Sequence, residues 1–219
     1  MDLPNFSFER GLWKQGHKLV AGMDEVGRGA FAGPVVTAAV IFEPTAIALS
    51  SRLRSQKDAI RSMVRINDSK KLTPKQRELA SFWIKENCLA WAIGEASVSE
   101  INKNGIVDAT NMAFRRAVKS LIRIDYLLID AFYVPYVSGV SQKKQKAIIR
   151  GDSKSISIAA SSIIAKVYRD KLMEEFSKSP PYLPYLWHKN KGYGTKEHRD
   201  AIAINGPTKL HRTLFLKLS

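Results

Sequence analysis

The run Pro34-Val35-Val36-Thr37-Ala38-Ala39-Val40-Ile41-Phe42 is rich in β-branched residues and largely apolar on both alternating faces. Successive side chains of a strand point to opposite faces, so such a run reads as a strand buried on both sides. It follows a second apolar run, Leu19-Val20-Ala21-Gly22-Met23, with which it is expected to pair. Further strand-like runs lie at Cys88 to Ala96, Tyr126 to Asp130 and Lys146 to Asp152.

Helical signals separate them. Thr73-Pro74 places a hydroxyl at an N-cap and proline at the first helical position, ahead of an apolar stripe of Leu79, Ala80, Trp83 and Ile84. Ser97 and Glu100 have capping-box spacing for a short helix that breaks near Gly105, and Ala109, Ala113, Ala117 and Leu121 line one side of a longer one. From Ile156, the residues Ala160, Ile163, Ile164, Val167, Leu172 and Phe176 keep helical spacing. An α/β fold with a mixed central sheet flanked by helices is the natural assembly. Residues 44 to 66 read as a partly helical surface excursion, and the aromatic, basic stretch from about 180 as a C-terminal extension, irregular and then helical. At 219 residues, a single domain over 1–219 is expected.

Three of the apolar runs end in acids: Asp24-Glu25, Asp130 and Asp152. Taken singly, each reads as a cap or a surface ion-pair partner. Converging at one sheet edge, they would repel unless cations sat between them, and two divalent ions are suited to phosphoryl chemistry. Adjacent strand residues face opposite ways, so Asp24 and Glu25 share a site only if the strand ends or bends there, or if a main-chain carbonyl helps. Directly after them comes Val26-Gly27-Arg28-Gly29, where glycines allow backbone amides to approach a sugar or phosphate. A dinucleotide-binding turn is excluded, because Pro34 and a β-branched run follow instead of a helix.

Lys and Arg number 35 against 20 Asp and Glu, a net charge of +15 spread along the chain, which points to nucleic acid as the anionic partner. The one cysteine, Cys88, forms no internal disulfide and reads as a buried thiol. No apolar stretch of about 18 residues suggests a membrane span, and the cytoplasm is the expected compartment. His17, His188, His198 and His211 lack paired metal spacing, and His188 and His211 read as surface residues rather than phosphate contacts; Trp83 and Trp91 read as core. Tyr182, Tyr185 and Trp187 fit stacking on nucleic acid and packing of the tail equally well.

Asp24-Glu25-Val26-Gly27-Arg28-Gly29 with Gly33-Pro34-Val35 resembles the opening motif of the ribonuclease HII family. Asn67-Asp68-Ser69-Lys70-Lys71-Leu72, Leu128-Ile129-Asp130 and Gly151-Asp152-Ser153 resemble its next three motifs. Ala159 to Lys166 with Arg169-Asp170, then Lys191-Gly192-Tyr193-Gly194-Thr195, resemble the blocks that follow. The resemblance covers nearly the whole chain in family order. It implies an RNase H-like fold and a monomeric endonuclease that cuts RNA in RNA/DNA hybrids and at single ribonucleotides in duplex DNA.

By the same resemblance, Asp24, Glu25, Asp130 and Asp152 would be catalytic and hold two Mg²⁺ or Mn²⁺ ions. Gly27, Arg28 and Gly29 would contact the ribose 2′-hydroxyl, Lys70 the scissile phosphate, and Tyr193 the sugar at the junction. Read without the family, Lys70-Lys71 is a solvated face, Tyr193 a turn residue, and Arg28 as much an exposed loop arginine as a phosphate contact. Val26, Ala30, Ala131, Arg150 and Ser161 depart from residues common in the family, yet none removes a carboxylate. A non-catalytic hybrid-binding protein and another RNase H-like nuclease are the alternatives.

Overall fold

The computed structural model describes residues 3–44, 66–121 and 123–216. The elements in order are α1 (Ser7–Lys14), β1 (Val20–Val26), β2 (Val35–Ile41), α2 (Pro74–Asn87), β3 (Ala90–Ala96), α3 (Val98–Lys119), β4 (Tyr126–Asp130), β5 (Gln145–Ile148), α4 (Ile156–Phe176), α5 (Trp187–Asn190) and α6 (Lys196–Asn205). The excursion expected over 44 to 66 lies almost wholly outside the described residues.

The strands form one five-stranded sheet in the order β3-β2-β1-β4-β5, antiparallel across β3-β2-β1 and parallel across β1-β4-β5. Every residue of β2 is buried, as its double-faced apolar pattern requires. One face, with Val36, Ala38 and Val40, packs on Ala160, Ile163 and Ile164 of α4, behind which lie Ala80 and Ile84 of α2. The other face, with Ala39 and Ile41, packs on Phe114 and Ala117 of α3. Each such side chain taken from water contributes roughly 1.5–3 kcal/mol when it is a Val, Ile or Phe. α4 comes so close to β1 that a Cβ at Gly22 would stand 2.2 Å from the Ser157 carbonyl carbon.

Both capping boxes form: Thr73 with Gln76, and Ser97 with Glu100. Gly105, at φ 79° and ψ 163°, interrupts α3 where the break was expected. Two details differ from the sequence reading. Leu79 of α2 is exposed, and so is Trp91 on the edge strand β3, beneath the Lys85 ammonium at 4.2 Å from its ring centroid. On α4 the buried stripe runs through Ala165, Arg169 and Met173, while Val167, Leu172 and Phe176 are only half-buried. Beyond α4, Tyr185 and Trp187 are buried with Ala32, Met173 and Ile202, so the aromatics of this segment serve packing. No described helix is long and apolar enough to cross a membrane.

Candidate active site

The pairing of β1 with β4 ends at Met23 opposite Ile129, while β1 continues against β2 as far as Val26 opposite Val36. Asp24 and Glu25 therefore stand in a straight strand that has lost one neighbour, with Asp130 at the tip of β4 beside them. No bend is needed for both acids to border the same opening. Asp152 reaches it differently from the strand end that the sequence suggested. β5 stops at Ile148, Ile149 is exposed, Arg150 turns with φ 56°, and Asp152 sits in a 3₁₀ turn, Gly151–Ser153. The Gly151 N–H donates to Asp130 Oδ1 at 2.7 Å, tying that turn to β4.

These acids, with Gly27, Arg28, Gly29, Lys70, Lys166, Ser69, Ser162 and Tyr193, line one cleft of about 480 Å³. All nine residues expected at the site thus border a single opening. Burial, then the neighbouring Glu25, pushes the Asp24 carboxyl well above the usual carboxylate range; a hydrogen bond with Ser162 opposes this. Burial raises Glu25 to about 7 although Arg28, 3.7 Å away, pulls it down. Asp152 is raised by burial and by Asp68 and Asp130, against Lys70. A set of oxygen donors whose charges strain against one another suits a hard divalent cation. Among the described residues, no three His, Cys, Asp or Glu side chains are gathered closely enough to cage an ion. The donor chemistry fits the metal, then, while the side chains border the cleft without closing on one point.

The glycine loop is shaped by Arg169, which the sequence reading quoted only as part of a family block, and by Arg212, which it did not single out. Arg169, fully buried, donates from Nε to Pro34 O at 3.0 Å, from Nη2 to Ala32 O at 2.9 Å and from Nη1 to Lys191 O at 2.9 Å. Arg212, also buried, donates from Nε to Gly33 O at 2.9 Å and from Nη1 to Arg28 O at 3.0 Å. Burial, then the neighbouring Arg169, lowers the Arg212 guanidinium to about 9. Gly27 has φ +88°, and a Cβ there would lie 2.0 Å from Arg169 Nε, so only glycine fits against the clamp. The signal for Arg169 was its place four residues from both Ala165 and Met173 on a buried helix face.

Tyr193 forms the opposite wall, its ring centroid 5.4 Å from the Arg169 guanidinium carbon and 5.6 Å from Lys166 Nζ. Lys166 pairs with Asp170 at 2.7 Å. Lys70 is exposed on a 3₁₀ turn capped by the Asp68 carboxylate, which accepts its N–H at 2.9 Å. Ser69 Oγ and Ser162 Oγ lie 3.0 Å apart at the base of the cleft. His211, expected at the surface, is buried with His198 behind Tyr193.

A family model described as ribonuclease HII matches residues 21–218. Ribonuclease HII of Wolbachia pipientis subsp. Culex pipiens (strain wPip) is 46% identical over 217 residues, covering 98% of this chain and 97% of that protein. Among solved structures, ribonuclease HII of Archaeoglobus fulgidus, in its complex with PCNA, matches with a TM-score of 0.68 at 21% identity, over 92% of this chain and 96% of that one. A Bst-RNase HIII structure in complex with Mn²⁺ matches with a TM-score of 0.60 at 18% identity, covering 86% of this chain and 70% of that one.

Proposed function

Because the chain belongs to the ribonuclease HII family, metal-dependent endoribonucleases that cleave RNA in RNA/DNA hybrids, we propose that Asp24, Glu25, Asp130 and Asp152 carry that cleavage here. The observation that supports this most is the meeting of the four acids, the glycine loop and Tyr193 in one cleft. Two divalent ions, Mg²⁺ or Mn²⁺, would supply Lewis acidity toward the attacking water and the leaving oxygen. Asp24, Glu25, Asp130 and Asp152 would hold them, and Ser162 would orient Asp24.

Gly27, Arg28 and Gly29 would read the 2′-hydroxyl through their backbone, where the Arg169 and Arg212 clamp keeps the loop in one shape. The Lys70 ammonium would meet the scissile phosphate. Tyr193 would stack on the sugar at an RNA/DNA junction, which extends the substrate class to single ribonucleotides in duplex DNA. We take the enzyme to act as a cytoplasmic monomer built on one catalytic domain, with the segment from about 180 as its C-terminal extension.

A substrate panel tests this reading. In Mg²⁺ the protein should cut a long hybrid and a DNA duplex carrying one ribonucleotide while leaving all-DNA duplex intact. Binding without cutting would make it a non-catalytic hybrid binder, and cutting of all-DNA duplex would make it another nuclease of the same fold.

A further inference from the structure

His198 and His211 take no part in the chemistry above, yet their hydrogen bonds lead to Tyr193. The Thr208 N–H donates to His211 Nδ1 at 2.9 Å, so the His211 proton sits on Nε2. That nitrogen lies 3.1 Å from His198 Nε2, which also accepts the Trp187 indole N–H at 3.0 Å. As an acceptor there, His198 carries its own proton on Nδ1, 2.9 Å from the Tyr193 carbonyl oxygen. His198 therefore donates to the main chain of the residue whose ring lines the cleft.

The other end of this chain of bonds is fixed on the glycine loop. His211 bridges to Ala32, the Gly33 N–H donates to Leu210 O at 2.9 Å, and the Arg212 N–H donates to Phe31 O at 2.8 Å. Directed bonds thus connect residues 31–33 through the two imidazoles to Tyr193. The Thr195 N–H also donates to the Tyr193 carbonyl, at 2.8 Å, and the Phe31 and Ala32 N–H groups donate to the preceding Gly192 carbonyl at 2.8 and 3.1 Å, so loss of His198 would loosen the tyrosine rather than release it. Apolar side chains would fill this space as well; what imidazoles add is a fixed direction.

We propose that His198 and His211 are positioning residues for substrate selection, setting Tyr193 against the glycine loop and thereby the preference for an isolated ribonucleotide over a long hybrid. The proposal rests on the reading of Tyr193 as the junction contact. An isolated ribonucleotide offers one sugar that loop and tyrosine must meet together, and a misplacement of about 1 Å can cost up to about 10²-fold. A long hybrid offers 2′-hydroxyls at many registers and tolerates the same shift.

The experiment compares kcat/KM on the single-ribonucleotide duplex with kcat/KM on a long hybrid for wild type, Tyr193→Ala, His198→Gln and His198→Asn, with Tm measured on each. Asparagine sets an amide nitrogen near the Nδ1 position and keeps the bond to Tyr193, whereas glutamine reaches the Nε2 position and loses it. The ratio should fall about tenfold in His198→Gln, toward that of Tyr193→Ala, and stay within about twofold of wild type in His198→Asn. An unchanged ratio in His198→Gln, or equal falls in both His198 variants, would remove the positioning role. A Tyr193→Ala protein with the wild-type ratio would instead overturn the reading of Tyr193, and the proposal with it.

Discussion

In the cleft, a buried Asp24 stands near half-buried Glu25 and Asp152, with Ser162, Arg28 and Lys70 only partly offsetting their burial and repulsion. In the cap beside it, Arg169 and Arg212 are buried still more deeply, but carbonyl oxygens of Arg28, Ala32, Gly33, Pro34 and Lys191 accept from them. Both regions place charge in a low-dielectric setting, where an uncompensated group is costly. The chain's own backbone meets most of the cap's donors, Arg212 Nη2 alone of the two guanidinium groups being buried without a partner among the described residues. The cleft's own groups leave its carboxylates only partly offset, as the proposed cation site requires, while the cap holds the adjoining loop in place.

The contrast can be broken most severely at Asp130. Asp130→Asn keeps an acceptor for the Gly151 N–H but removes charge from the cleft, and single-turnover cleavage should fall by at least about 10³-fold, roughly 4 kcal/mol, while hybrid binding persists. Retained cleavage would take Asp130 out of the site. In the cap, Arg169→Met leaves three buried carbonyls without their donor, and chemical denaturation should show a loss of about 3 kcal/mol. A stability within experimental error of wild type would mean the clamp is incidental.

Gly27→Ala probes the seam between the regions. The added methyl meets Arg169 and the φ is unfavourable, so cleavage should drop by about tenfold to 10²-fold, with a smaller change in Tm than in Arg169→Met. A variant that loses Tm but not activity would uncouple loop shape from catalysis. The smallest effect is one of pH. Burial, then the neighbouring His198, lowers the His211 imidazole to about 4, whereas an unfolded histidine titrates near about 6.5. Below about pH 6.5 the unfolded chain binds a proton that the folded chain refuses, so this contribution to stability is full above that pH and is lost toward pH 4. His211→Gln should flatten the dependence of Tm on pH across this window; an unaltered slope would assign it to other groups.

The cleft was more legible in the sequence than the cap, for a physical reason. Strand runs ending in acids, the Thr73 and Ser97 capping boxes and the break at Gly105 are written in residues a few positions apart. The cap depends on contacts between distant segments. Arg212 reaches Arg28 and Gly33, and His198 meets His211 and Trp187, and no local spacing marks such pairs. His211 read as a surface residue because only short metal-type spacings could be tested along the sequence. Asp152 was placed near the right strand but on the wrong kind of element, since Ile149 extends the apolar run after pairing has ended and Arg150 has already turned. The sheet order β3-β2-β1-β4-β5 was likewise beyond any local pattern.

The most direct test of the proposed cation site is cleavage of the single-ribonucleotide duplex by protein stripped with a chelator, followed by return of the metal. The stripped protein should be inactive, and Mg²⁺ or Mn²⁺ should restore cutting to wild type but not to Asp130→Asn. Cleavage by the stripped protein would contradict the account.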